Sequence, residues 1–174
     1  MYVQISDHDV SAVVRLMNRA YRGDGSDAGW TTEGGYLHGD RITEDLMRAD
    51  LAAKPGAMFL KWVDDPEDAP KGCVWLEPLG PETWYLGSLS IDPRLQNGGL
   101  GRVMLSAAED WVHARGGRTV RMTVVNVRDT LIAWYKRRGY ELTGETEPFP
   151  YDDNRFGTPM RDDLCFVVLT KRIA

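Results

Sequence analysis

The sequence has few of the side chains that bind metals and no long apolar run of the kind that crosses membranes. Its three histidines, His8, His38 and His113, and its two cysteines make no metal-ligand spacing with one another. Cys73 sits in Gly72-Cys73-Val74-Trp75 and Cys165 in Leu164-Cys165-Phe166-Val167, both apolar and strand-like. They read as two buried free thiols in a reducing compartment, so a cytoplasmic protein is expected. No stretch reaches the roughly 18 apolar residues of a membrane span. The start, Met1-Tyr2-Val3-Gln4-Ile5, lacks the basic-then-apolar layout of a signal peptide. A basic excess is missing too. The 21 Lys and Arg against 26 Asp and Glu leave a formal charge of −5, which excludes the basic footprint of a nucleic-acid binder. An acidic balance suits an amine or cationic partner.

What is present is a chain of 174 residues, 43% hydrophobic, long enough to bury one real core. One domain spanning 1–174 is expected. Apolar and β-branched runs bounded by Gly, Pro and Asp turns predict strands over 2–6, 57–63, 71–77, 84–91, 119–125, 140–145 and 164–172. Helical spacing predicts helices to 21 from a cap at Ser6 or Asp7, over 43–53, over 100–115, and over 129–138 from a cap at Asp129. Three consecutive strands favour antiparallel hairpins, and the two later helices can cross over to parallel neighbours. The result is an α/β (α+β) fold, with a mixed, twisted sheet of about seven strands flanked by about four helices. Two irregular stretches, 22–40 and 146–163, are long enough to be functional.

Strand 84–91 ends at Asp92-Pro93 and leads through Gln96-Asn97-Gly98-Gly99-Leu100-Gly101 into a helix. Such a turn binds phosphate. The first amides of a helix have no internal acceptor, the helix dipole is positive there, and glycine lets a ligand approach the backbone. A phosphate loop would need Gly-Lys-Ser/Thr, which is absent. A dinucleotide fingerprint needs a small third residue, where Met104 stands, and an acid about 20 residues on, near Arg121.

Gln96-x-x-Gly99-x-Gly101 resembles the Arg/Gln-x-x-Gly-x-Gly/Ala signature of the GNAT superfamily of N-acetyltransferases. Leu89-Ser90-Ile91-Asp92-Pro93 is similar to that family's fourth strand. The segment from Leu131 through Ala133, Tyr135 and Gly139 to Tyr140 resembles its A-x-x-Tyr-x-x-x-Gly-Phe helix ending. The resemblance is clear over 84–145 and implies a sheet splayed between strands 84–91 and 119–125. It implies acetyl-CoA as donor and a small-molecule or peptide amine as acceptor. Dimers are frequent in that family, so a homodimer is among the expectations. Leu89, Ser90 and Ile91 would offer backbone groups to the pantetheine arm. Gln96, Asn97, Gly98, Gly99, Leu100, Gly101 and Arg102 would wrap the pyrophosphate. The family's helix-start asparagine falls at Arg128 here, with Asn126 two residues earlier, and either can make the contact. The alternative is a non-catalytic acyl-CoA-binding module or regulatory subunit with the same fold.

Tyr135 matches the family's tyrosine near the cofactor sulfur. A thiol pKa of about 8.5 against about 10 for a phenol makes full proton transfer uphill by about 2 kcal/mol. A strong hydrogen bond to the leaving thiolate is therefore the expected role, alongside contact with the cofactor. An amine of pKa near 10.4 is neutral at pH 7 in only about one molecule in 2,500, a deficit of roughly 4.6 kcal/mol. A carboxylate or water chain must take its proton. Glu33 is named as the base, with Glu145, Glu147, Asp152 and Asp153 as other carboxylates in reach. Ser88 and Ser90 can hold a water. Trp30, Glu33, Tyr151 and Phe156, aromatics beside acids, are the expected acceptor-binding residues. Arg155 and Arg161 allow a substrate carboxylate equally.

Overall fold

In chain order the elements are β1 (Tyr2–Gln4), α1 (Val10–Arg22), β2 (Leu37–His38), α2 (Glu44–Ala53), β3 (Met58–Trp62), β4 (Gly72–Pro78), β5 (Thr83–Ile91), α3 (Leu100–His113), β6 (Thr119–Val125), α4 (Asp129–Lys136), β7 (Glu141–Pro148), β8 (Thr158–Pro159) and β9 (Cys165–Arg172). The computed structural model describes residues 1–23 and 28–174. Gly25, in the first irregular stretch, lies outside the described residues. Seven strands form one sheet in the order β1-β3-β4-β5-β6-β9-β7. Every pairing is antiparallel except β5 with β6, as the hairpin and crossover reading requires. Among the described residues, no helix is long and apolar enough to cross a membrane.

The sheet separates two apolar layers. On one face Val10, Val13, Val14 and Met17 of α1 pack with Phe59 and Trp75, since α1 places these residues on one stripe. On the other, Leu105, Ala108 and Val112 of α3 and Tyr135 of α4 pack on Leu76, Leu86, Met122 and Leu169.

The parallel pair is short. β5 and β6 are in register only at Thr83–Thr119, Trp84–Val120 and Tyr85–Arg121. From Leu86 onward they part, as the family resemblance implies. A β-bulge accompanies the parting. The β4–β5 register shifts between Cys73 and Trp75, and Ser88 takes φ 51. An extra residue sharpens local twist and turns the rest of β5 away from its neighbour.

Four details differ from the sequence reading. Ser6 does cap, through its amide on the Asp9 carboxylate at 2.8 Å, but a 3-10 turn over Asp7–Asp9 intervenes before α1. Asp129 is the first residue of α4 and not its cap. Arg128 holds the cap position without a side-chain cap bond, because a guanidinium has only donors and cannot accept from a helix amide. α4 itself ends at Lys136, and β7 runs on to Pro148. Finally, the two irregular stretches are clasped to each other. Leu37 pairs with Pro159 and His38 with Thr158. Beneath the clasp Leu37, Val125, Phe149 and Leu164 form a small third cluster.

Candidate active site

The glycine turn opens onto a groove of about 280 Å³ between the end of β5, the start of α3 and one side of α4. Asp92 fixes the strand exit by accepting from the Arg94 amide at 3.0 Å and from Arg19 at 3.3 Å. The Arg94 guanidinium, bonded to it, holds the Asp92 carboxyl below the usual carboxylate range. Asn97 and Gly99 then take left-handed conformations, φ 70 and 80, which asparagine and glycine tolerate best. Gly99 is the N-cap of α3; the Leu100 and Gly101 amides lack helical acceptors, while the Arg102 and Val103 amides donate to the Gly99 carbonyl at 3.1 and 3.3 Å. Gly101 lies where a Cβ would meet Ile91 Cδ1 at 2.8 Å and Trp134 at 3.4 Å, so a side chain there would push the Ile91 tip aside at the groove.

Gln96 does more than the motif suggests. Its Oε1 accepts from the Trp30 amide at 3.1 Å and its Nε2 donates to Thr31 Oγ1 at 3.3 Å. These bonds draw the segment around Trp30 across the groove, where Trp30 tilts over Trp134 at 6.3 Å. At the far wall Arg138 stacks on Trp134 at 3.6 Å and donates to its carbonyl at 2.7 Å. Burial and then repulsion from Arg137 and Arg102 push the Arg138 pKa down. Arg138 Nε is buried without a partner, and no carboxylate pairs with Arg102, Arg137 or Arg138 among the described residues. A cluster of cations short of anions beside unpaired amides is chemistry that fits a pyrophosphate.

Where β5 and β6 separate lies a second cavity of about 250 Å³. The residues that line it come from distant parts of the chain. Glu33 is 4% exposed, and both its oxygens are taken. Oε2 accepts from Arg22 Nη1 and Oε1 from Arg128 Nη1, each at 2.9 Å. Arg128 also donates to the Thr31 carbonyl. Burial opposes the Arg128 charge, yet the facing Glu33 prevails and leaves its pKa raised. Glu147 lines the cavity as well, with its side chain 49% exposed and ion-paired to Arg121 at 3.0 Å. Ser90, 3% exposed, donates to the Ser88 carbonyl at 3.1 Å.

Tyr135 stands in the wall between groove and cavity, and with Leu89, Leu131 and Thr31 it lines both. Its ring is fixed edge-on by Trp134 at 5.0 Å and Tyr140 at 5.6 Å. Burial raises its pKa well above that of a free phenol. Its hydroxyl makes no hydrogen bond among the described residues, and it is not one of the sealed polar atoms.

Of the residues singled out in the sequence, Ile91, Gln96, Asn97, Gly99, Gly101 and Arg102 line the groove. Gly98 and Leu100 belong to the same turn without lining it. Trp30 joins the groove and not the second cavity. Ser90, Glu33 and Phe156 line the second cavity. Arg128 lies there too, away from the groove. Asn126 is occupied elsewhere: it donates to the Asp163 carbonyl and accepts from the Cys165 amide, each at 3.0 Å. Tyr151 lines neither hollow, and its hydroxyl accepts from the Leu164 amide at 2.8 Å. Sequence reasoning missed Arg22, Arg41 and Arg138. The run Lys136-Arg137-Arg138 was a signal for the last, but cations at a helix C-terminus have an ordinary explanation in the helix dipole.

A helix-start turn with free amides, a phenol in a shared wall and a second pocket in the sheet gap form one connected site. The pattern of the acetyltransferase (GNAT) family matches residues 13–140, and the chain belongs to that family. It is 28% identical over 138 residues to a mycothiol acetyltransferase of Rhodococcus erythropolis, across 76% of this chain and 43% of the relative. The chain thus spans less than half the length of that curated relative. Solved structures share the fold at low identity. The ribosomal-protein-S18-alanine N-acetyltransferase of Escherichia coli superimposes with TM-score 0.70 at 14% identity, over 100% of this chain and 94% of that one. The PaiA N-acetyltransferase of Thermoplasma acidophilum, in complex with coenzyme A, gives 0.69 at 14%, over 99% and 98%. A GNAT acetyltransferase of Elizabethkingia anophelis with acetyl-CoA bound gives 0.62 at 17%, over 75% and 84%.

Proposed function

We propose that the chain is a single cytoplasmic N-acetyltransferase domain that moves an acetyl group from acetyl-CoA directly onto a primary amine. The observation that carries this reading is Tyr135 in the wall between the two hollows. A reaction joining ligands from both must pass that wall. The groove is the donor side and the cavity in the sheet gap is the acceptor side. Acetyl-CoA supplies an acyl group already activated as a thioester, so no covalent acyl-enzyme is needed.

The amides after Gly99, with Arg102 and Arg138, hold the pyrophosphate-bearing part of the donor, and Leu89 and Ile91 flank its arm. Tyr135 donates a hydrogen bond to the departing sulfur as the C–N bond forms and the C–S bond breaks. Burial makes this phenol a poorer acid than a free one, so it acts chiefly as a neutral donor. The same burial raises the basicity of the thiolate it faces.

Glu33, named from sequence as the base, takes a different role in this proposal. Both Glu33 oxygens already accept from guanidiniums and turn no open lone pair toward an amine, so Glu33 positions Arg22 and Arg128. Glu147, at the wetter edge of the cavity, takes the amine proton through water. The C–N bond forms as the C–S bond breaks; the amine gives up one proton by this route, and the released thiolate takes one from solvent to leave as the thiol.

Two measurements test the reading. Acetyl-CoA should raise the melting temperature, and Gly99→Glu should abolish the shift by blocking and repelling the pyrophosphate. No shift in the parent protein overturns the donor assignment. Release of free thiol that depends on added amine should accompany binding; a shift without release means a binding module. Sedimentation at micromolar concentration tests the homodimer.

A further inference from the structure

Among the described residues, the acceptor side carries one charge that no carboxylate balances. A third hollow of about 450 Å³ adjoins the acceptor cavity, and the two share Arg41, Tyr85, Ser88, Thr123, Glu147 and Phe156. The other charged side chains lining them are paired: Glu33 with Arg128, Glu147 with Arg121, Asp50 with Arg155, and Lys54 with Glu77. Arg161, another cation of the second irregular stretch, is paired to Asp163. Arg41 has no carboxylate and no side-chain hydrogen bond among the described residues. It is half-buried all the same.

What holds Arg41 is aromatic. Its guanidinium lies over the Phe156 ring at 4.4 Å and the Tyr21 ring at 5.1 Å. Cation–π contacts use the faces of a planar guanidinium. The N–H donors lie in the plane, so this arrangement orients the cation while leaving its hydrogen-bonding edge free. That edge matches a carboxylate, which a guanidinium binds through two parallel hydrogen bonds. Glu147 lies in the same cavities and provides the opposite charge for an ammonium.

The geometry points to an acceptor that bears a carboxylate as well as its amine, a small amino acid whose carboxylate docks on the in-plane edge of Arg41. This rests on the acceptor cavity proposed above. The clasp between β2 and β8 and the donation of Arg22 to the Phe156 carbonyl wall off one side of the site. That favours a compact acceptor over an extended chain.

The test compares α- and ω-amino acids with their carboxamides, which keep shape and lose charge. Thiol release gives kcat/KM for each pair. At least about tenfold preference for the acids is expected, the scale of a hydrogen bond to a charged group. Arg41→Met should bring the ratio close to one, while Arg41→Lys keeps part of it. Circular dichroism and the acetyl-CoA melting shift report that each variant is folded. Equal rates on acids and amides, faster rates on amides, or an unchanged ratio in Arg41→Met overturns the inference. So does an acetyl-CoA shift with no turnover of any acid, which leaves the donor reading standing; a missing shift breaks the donor reading instead. Because Arg41 also packs on two rings, a second measurement uses the parent protein alone. Aliphatic carboxylates without an amine should inhibit competitively against the acceptor. Inhibition competitive with acetyl-CoA, or none, overturns the assignment.

Discussion

The two hollows that meet at Tyr135 are assembled by opposite means. The donor groove takes most of its wall from neighbours in the chain: Ile91 to Arg102 lead from strand to helix, and Leu131 to Arg138 add one helix face. The acceptor cavity is lined by side chains from α1, both irregular stretches, β5, β6 and the start of α4. The first is set by backbone conformation at glycines, and the second by ion pairs across the fold. Changes in the groove should therefore act on donor affinity with little effect on stability. Changes to the ion-pair centre of the cavity should act on stability first.

Four changes probe that contrast. Glu33→Ala leaves two buried guanidiniums without their shared carboxylate, which costs about 3–5 kcal/mol when a buried pair is broken; urea unfolding measures it, and a loss under 1 kcal/mol refutes the anchoring role. Tyr135→Phe removes one charge-assisted hydrogen bond of about 1.5–3 kcal/mol, so kcat should fall roughly ten- to a hundredfold with acetyl-CoA affinity nearly unchanged. An equal loss in both would make Tyr135 a packing residue. Arg138→Ala should weaken acetyl-CoA by about tenfold at low salt and less at high salt, read by calorimetry at two ionic strengths. Gln96→Ala should raise the acetyl-CoA KM only a few-fold, since two neutral hydrogen bonds contribute about 1 kcal/mol each at most in so open a site.

The buried phenols add a pH signature. Burial raises the pKa of Tyr2, Tyr85, Tyr135 and Tyr140. Their contribution is intact below the unfolded phenol value of about 10 and is lost as pH rises beyond it, by up to about 1.4 kcal/mol per pH unit for each. Tyr135→Phe should flatten this alkaline slope by one such share in pH-dependent unfolding.

The fold was legible because its signals are local: short apolar and β-branched runs mark the strands, and Gly99, Gly139 and Asp92-Pro93 punctuate them. The groove was legible for the same reason, as one contiguous turn. The acceptor side was not. Glu33 looked like a loop acid, and only the folded chain brings Arg22 and Arg128 to its two oxygens. Arg128 and Asn126 competed for one contact by position, yet one faces Glu33 and the other bridges to Asp163 and Cys165. The strand pair Leu37–His38 with Thr158–Pro159 is too short to leave a periodic trace.

The bulge at Ser88 also sets the chain's count. In an unbroken strand Trp84, Leu86, Ser88 and Ser90 would share one face. With one residue set aside, Leu89 and Ile91 fall in step with Trp84 and Leu86, toward α3 and α4, while Ser90 sits opposite Cys73 on the other side. Flattening the bulge with every residue kept in the strand would turn both groove-lining side chains to the wrong face. The face that β5 shows to the groove therefore depends on the bulge itself, a constraint on backbone conformation that no individual side chain displays.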